Sequence, residues 1–171
     1  MRLINLGVGL LVGAAAYAAA EAAAPAAITP YFGSSVNVRN QLRLVLGGAE
    51  DEVVVVADRL TDYALADALL EAARRGRRVR VVLGAATGTL LVDRAIREHL
   101  QAGGVEVAVV DGDQPLYACF AVVDKRVVVT GSYPWVEEAA ATPLAEFIVV
   151  DDATLAAAYL AFFDYIWTHA H

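Results

Sequence analysis

The chain has 171 residues, 58% of them hydrophobic and 19% charged, with a formal net charge of -7. That length suits one domain with a substantial core, and the composition excludes both a disordered chain and a multi-span membrane protein. The acidic balance sets polyanions, nucleic acid above all, at a disadvantage as partners.

The N-terminus opens with Arg2 and carries no further charge until Glu21. Leu3 to Ala20 reads as a signal peptide or a short membrane anchor, at roughly 18 residues against the usual ~20 of a span. An Ala-rich core helix is the alternative. Pro25 and Pro30 interrupt helix, so Ala22 to Pro30 reads as a linker. The chain therefore divides into a leader with its linker, 1–27, and a domain, 28–171, and a membrane-anchored or exported, extracytoplasmic location is expected.

Asn37 to Leu46 has a helical apolar pattern, ended by Gly47-Gly48. Glu52 to Ala57, EVVVVA, is a continuous β-branched run that predicts a strand buried on both faces. Thr61 or Asp62 caps a helix whose apolar face is Ala64, Ala68, Leu69 and Ala72, and Gly76 ends it. Arg78 to Leu83 predicts a strand, Gly84 to Thr89 a turn, Leu90 to Gln101 a helix, and Val105 to Val110 another strand, with a loop over 111–115. Tyr117 to Val123 and Arg126 to Thr130, joined at Asp124-Lys125, carry a hairpin signal. Glu138 to Pro143 reads as a loop or short helical piece and Phe147 to Val150 as the last strand. Asp152 or Thr154 caps a final helix to about Trp167. The order predicts an α/β domain, a mixed β-sheet flanked by helices on both faces.

The span from about Ile28 to His169 resembles the phospholipase D superfamily, in particular its small single-motif, Nuc-type endonucleases. The resemblance rests on ALLEAARRGRRVRVVL, on the hairpin VVDKRVVVTGS and on the order of elements. The family motif runs His-x-Lys, four residues, Asp, then Gly-Ser and an Asn. In this sequence the His place is Tyr117, the Lys place Cys119, the Asp place Asp124 and the Asn place Pro134, while Gly131 and Ser132 match. An acidic residue before the following strand corresponds to Glu146. The resemblance implies a phospholipase D-like fold, histidine attack on phosphorus, charge stabilisation by Lys and Asn, and pairing of two single-motif chains into a homodimer around the cleft. Nucleophile and general acid need a group that exchanges protons near neutral pH. Tyrosine, with an ordinary pKa of ~10, is a weak nucleophile without an activating base. A thiol carries no positive charge, and proline has neither amide side chain nor N–H.

Each of these residues also has a plainer reading. Tyr117 faces a cleft or packs in the core, and the strand preference of aromatics favours packing. Cys119 is a reactive thiol or, more in keeping with cysteine's behaviour as a small apolar residue, a buried inert one. Asp124 supports a catalytic group or simply forms the hairpin turn. Gly131 and Ser132 bind phosphate, or the Ser132 hydroxyl bonds its own turn. Glu146 is a site carboxylate or a solvated strand end. The basic run Arg74 to Arg80 touches phosphate or lipid, or is a helix end whose arginines favour the dipole's negative end. GAATGT, 84–89, fails the Walker pattern because no Lys-Ser/Thr follows, and reads as a turn. The aromatics from Tyr159 to Trp167 face the core, a membrane or a partner.

The single cysteine excludes an intramolecular disulfide, and the three histidines form no cluster of metal-ligand spacing, so neither metal nor cofactor is expected. The expectation is a degenerate phospholipase D-like domain that works by binding, as a homodimer and toward an anionic lipid or a protein partner. The alternative is an active phosphodiesterase, a phospholipase D or a Nuc-type endonuclease, whose nucleophile has moved to Tyr117 or Cys119.

Overall fold

The computed structural model describes residues 26–33, 35–84, 91–110, 116–141 and 145–171. The expected leader, the turn after Gly84 and the loop at 111–115 lie outside these residues. Seven strands form one sheet: β1 (Ala27–Gly33), β2 (Glu52–Ala57), β3 (Arg78–Leu83), β4 (Glu106–Val109), β5 (Phe120–Val123), β6 (Val127–Gly131) and β7 (Ala145–Asp151). The helices are α1 (Ser35–Gly47), α2 (Tyr63–Arg74), α3 (Leu91–Ala102) and α4 (Ala153–Thr168), with a 3-10 turn at Glu137–Ala141.

The sheet order is β1-β7-β6-β5-β2-β3-β4. β2, β3 and β4 run parallel, joined by helical crossovers, whereas β5, β6, β7 and β1 form an antiparallel ladder. β2 lies at the junction, and all six of its residues are buried, as its unbroken valine run requires.

Helices cover both faces, unequally. Val53, Val55, Val81 and Ala121 point to the side where α1, α2 and α3 contribute Leu42, Leu65, Leu69 and Ile96. Val54, Val56, Phe120, Val122 and Val128 point to the other side, where α4 supplies Ala156, Phe163 and Ile166. Asp152 caps α4 by accepting the Thr154 and Leu155 N–H groups at 2.7 and 2.9 Å.

One expectation is corrected. The last part of the expected linker, Ala27 to Pro30, belongs instead to an edge strand, Ala27–Gly33, paired along its whole length with β7. Pro30 is compatible with it because an edge strand leaves one side of its backbone unpaired. At the opposite edge the C-terminus covers β4: Val109 N–H donates to the His171 carbonyl at 2.7 Å, and His171 N–H returns a bond at 2.9 Å.

Candidate functional site

β2 is followed by Asp58 and Arg59, β6 by Ser132, and β5 is preceded by residues 116–119, which lie outside the ladder. These three segments meet at one end of the sheet around a cleft of about 440 Å3. A crevice beyond the carboxyl ends of parallel strands is the usual place for a ligand in an open α/β sheet.

Tyr117 and Cys119 line this cleft, opposite Gly131, Ser132 and Pro134. Tyr117 is 90% exposed, which overturns the core-packing expectation. It precedes the ladder, so strand alternation does not dictate its direction. Cys119 is half-buried, with its thiol 3.8 Å from the Tyr133 carbonyl. Burial, with a smaller contribution from the Asp58 charge, pushes the thiol pKa up to about 12. It is therefore a neutral group at physiological pH.

The other expected positions separate. Asp124 lies at the opposite end of β5, in the hairpin turn. Asp124 and Lys125 have φ of 52° and 55°, the left-handed pair of a tight hairpin. The Asp124 carboxylate accepts N–H groups from Glu50, Asp51 and Glu52 at 3.0, 2.8 and 3.1 Å. Its place in the fold is a clamp between the hairpin and the start of β2. Glu146 stands behind the cleft, where its carboxylate accepts the Ser132 N–H at 2.7 Å. Gly131 permits β6 and β7 to approach, since a Cβ there would lie 2.4 Å from Phe147 Cα.

Several contacts of the cleft and its support were not anticipated from the sequence, although the capping role of Asp62 was. Arg59 lines the cleft, and its Nε and Nη2 each donate to an oxygen of Asp93 at 3.3 Å. Asp93, on the first turn of α3, is 1% exposed, so the guanidinium serves first to neutralise a buried carboxylate. Asp62, also buried, caps α2 through the Ala64 and Leu65 N–H groups at 2.9 and 3.2 Å. Its other oxygen accepts the Tyr133 hydroxyl at 3.4 Å and lies 3.7 Å from Arg39 Nη1. Burial and the neighbouring Asp62 charge hold the Tyr133 phenol well above its ordinary range. Thr61 and Asp62 N–H both donate to the Trp135 carbonyl, at 3.0 and 3.3 Å. The segment after Ser132 is thus tied to the start of α2. The sequence signal for this site was a pair of charged residues closing a fully apolar strand.

Three arginines of the basic run enter structural pairs. Arg78 pairs with Glu106 at 3.0 Å, and Arg80 with Asp164 at 3.3 Å while stacking on Phe163. Arg75 donates to the Gly47 carbonyl and pairs with Glu71. Among the described residues no group of His, Cys, Asp and Glu is arranged to hold a metal ion. No helix of the described residues is long and apolar enough to cross a membrane.

A family model described as "Cardiolipin synthase, PLD-like domain" matches residues 42–167. The chain belongs to this phospholipase D-like family. It is 30% identical over 132 residues to the mitochondrial cardiolipin hydrolase of Xenopus laevis, covering 75% of this chain and 60% of that protein. The counterpart from Xenopus tropicalis has the same identity and coverage. The chain therefore spans less than two thirds of the length of these curated relatives.

Among solved structures, the phospholipase D family member Nuc from Salmonella typhimurium superposes with a TM-score of 0.81. The match covers 86% of this chain and 97% of Nuc, at 18% identity. NucT from Helicobacter pylori gives a TM-score of 0.73 at 15% identity, covering 85% of this chain and 98% of that one. At these identities the likeness is one of fold. It bears out the mixed sheet flanked by helices on both faces that the order of elements predicted.

Proposed function

We propose that this phospholipase D-like domain is a pseudoenzyme that acts by binding, as a membrane-associated or exported scaffold. The observation that carries the reading is the company at the cleft. Tyr117, Cys119 and Pro134 line it together, at the places where the family motif has His, Lys and Asn. None supplies a group that exchanges protons near neutral pH, and none supplies a cation for a phosphoryl oxygen. The thiol, at about 12, is not a thiolate at neutrality. Among the described residues no hydrogen bond or ion pair supplies the Tyr117 phenol with an activating base.

The uncharged stretch Leu3 to Ala20, with Arg2 before it, supports attachment to or export across a membrane. The single-motif organisation supports a homodimer that buries about 800 Å2 per partner or more across the cleft. An anionic lipid surface or a protein is the kind of partner such a scaffold would meet, and the net charge of -7 disfavours nucleic acid. The second reading is a phosphodiesterase with a relocated nucleophile, favoured by the 90% exposure of Tyr117 at the cleft mouth.

Turnover of bis-p-nitrophenyl phosphate by the purified protein separates the two. The expected result is none in the parent and measurable turnover after Tyr117→His, Cys119→Lys and Pro134→Asn are combined. Parent turnover that disappears with Tyr117→Phe or Cys119→Ser overturns the pseudoenzyme reading and names the nucleophile.

A further inference from the structure

We propose that the cleft between Asp58 and Tyr117 recognises an organic cation, an ammonium or guanidinium group, and discriminates against phosphate. The inference deepens the proposal of a binding domain without turnover, and it rests on that reading.

The backbone donors that would meet a phosphate are already committed. The Ser132 N–H donates to the Glu146 carboxylate at 2.7 Å, and the Tyr133 N–H to the Glu146 carbonyl at 3.0 Å. Pro134 has no N–H to offer. Arg59, the cation of the cleft lining, spends Nε and Nη2 on Asp93 at 3.3 Å. Withdrawing it toward a ligand would leave a carboxylate that is 1% exposed without its counter-charge. A phosphate entering the cleft would therefore meet spent backbone donors, a guanidinium held by Asp93 and the Glu146 carboxylate bonded to Ser132 N–H.

Asp58 is different. It lines the cleft at the carboxyl end of β2, half-buried, and its carboxylate has no salt bridge among the described residues. Arg59 and Asp93 cancel, which leaves the Asp58 carboxylate in the lining and, outside it, the Glu146 carboxylate bonded to Ser132 N–H as the uncompensated charges, so the local field favours a cation. The lining also includes Tyr117, 90% exposed, whose ring face complements an ammonium or guanidinium group, whereas Trp135, 3% exposed, is packed into the core. A cavity of about 440 Å3 admits a small organic cation with part of its alkyl stem.

The experiment is a titration of the 15N-labelled full chain, followed at the amides of Asp58, Tyr117, Cys119 and Ser132 and the indole of Trp135. The probes are n-butylammonium, butylguanidinium and tetramethylammonium, which stand for a lysine side chain, an arginine side chain and a quaternary headgroup. Dimethyl phosphate is the anionic counterpart. The expected result is saturable shifts with at least one cation and none with dimethyl phosphate. Asp58→Asn should weaken cation binding about tenfold, the scale of one lost ion pair in a partly dry site, and Asp58→Glu should retain it. If Asp58→Asn does not fold, Tyr117→Ala, at an exposed position, serves instead and should weaken binding about threefold. Cations that leave these signals unmoved, shifts that survive the substitution, or a dimethyl phosphate response overturn the inference. Failure here without phosphodiester turnover leaves the pseudoenzyme proposal standing, whereas turnover removes that proposal directly.

Discussion

The Asp124 carboxylate accepts the backbone N–H of Asp51 at 2.8 Å, from the end of β5 away from the cleft. It lies five positions beyond Cys119, roughly 16 Å along an extended chain. In sequence Asp124 belongs to the same motif as Tyr117 and Cys119, but in space it holds the hairpin to the start of β2. Asp124→Ala should therefore lower stability by about 1–2 kcal/mol, because three N–H groups lose a charged acceptor in a setting that water partly reaches. Asp124→Asn, which tolerates positive φ and keeps one acceptor, should cost about half as much. Urea unfolding measures both, and the amide signals of the cleft should not move.

Gly131 answers to packing. An added Cβ would lie 2.4 Å from Phe147 Cα and 2.6 Å from the Glu146 carbonyl oxygen, both backbone atoms of β7. The strands would have to part. Gly131→Ala should cost about 2 kcal/mol or more, a fall of roughly 4–8 °C in melting temperature for a domain of this size. A melting temperature unchanged by the substitution would show that β6 and β7 separate freely.

Arg59 and Asp93 should behave as a unit. Arg59→Met leaves Asp93 buried and unpaired, at a cost of about 3 kcal/mol, near the low end for broken buried pairs because the guanidinium is partly exposed. Arg59→Met combined with Asp93→Leu removes both charges and should recover most of that loss. A double variant as unstable as the sum of the singles would contradict the pairing.

Cys119 should resist iodoacetamide at pH 7.5 in the folded protein and react readily after denaturation, since only the thiolate attacks. Its folded pKa of about 12 lies above the reference 9.0 of an unfolded thiol. Between these values the folded state holds a proton that the unfolded state has released, so stability falls as pH rises from about 9 toward 12. Below about 9 the group contributes no slope. Cys119→Ala should flatten the alkaline limb, leaving the part due to Tyr133, whose raised phenol pKa acts with the same sign. Denaturant midpoints measured from pH 8 to 11 check this.

The sequence by itself determined the layered α/β architecture and most of its elements, because each is written in local signals. The EVVVVA run marks a strand buried on both faces, Asp62 and Asp152 cap the helices they precede, and Asp124-Lys125 turns a hairpin. β1 escaped because Pro30 speaks against a strand except at an edge, and whether a strand is an edge depends on the partners the rest of the chain leaves open. Tertiary structure alone decided the site. Tyr117 faces solvent because residues 116–119 lie outside the ladder, where strand periodicity has no force. Arg59 is bound to Asp93, and Ser132 to Glu146, across 34 and 14 residues of sequence. Which donors are spent, and which carboxylate has no salt bridge among the described residues, is settled by contacts between distant segments. Residue type and spacing do not encode those contacts, and on them turns what the cleft can hold.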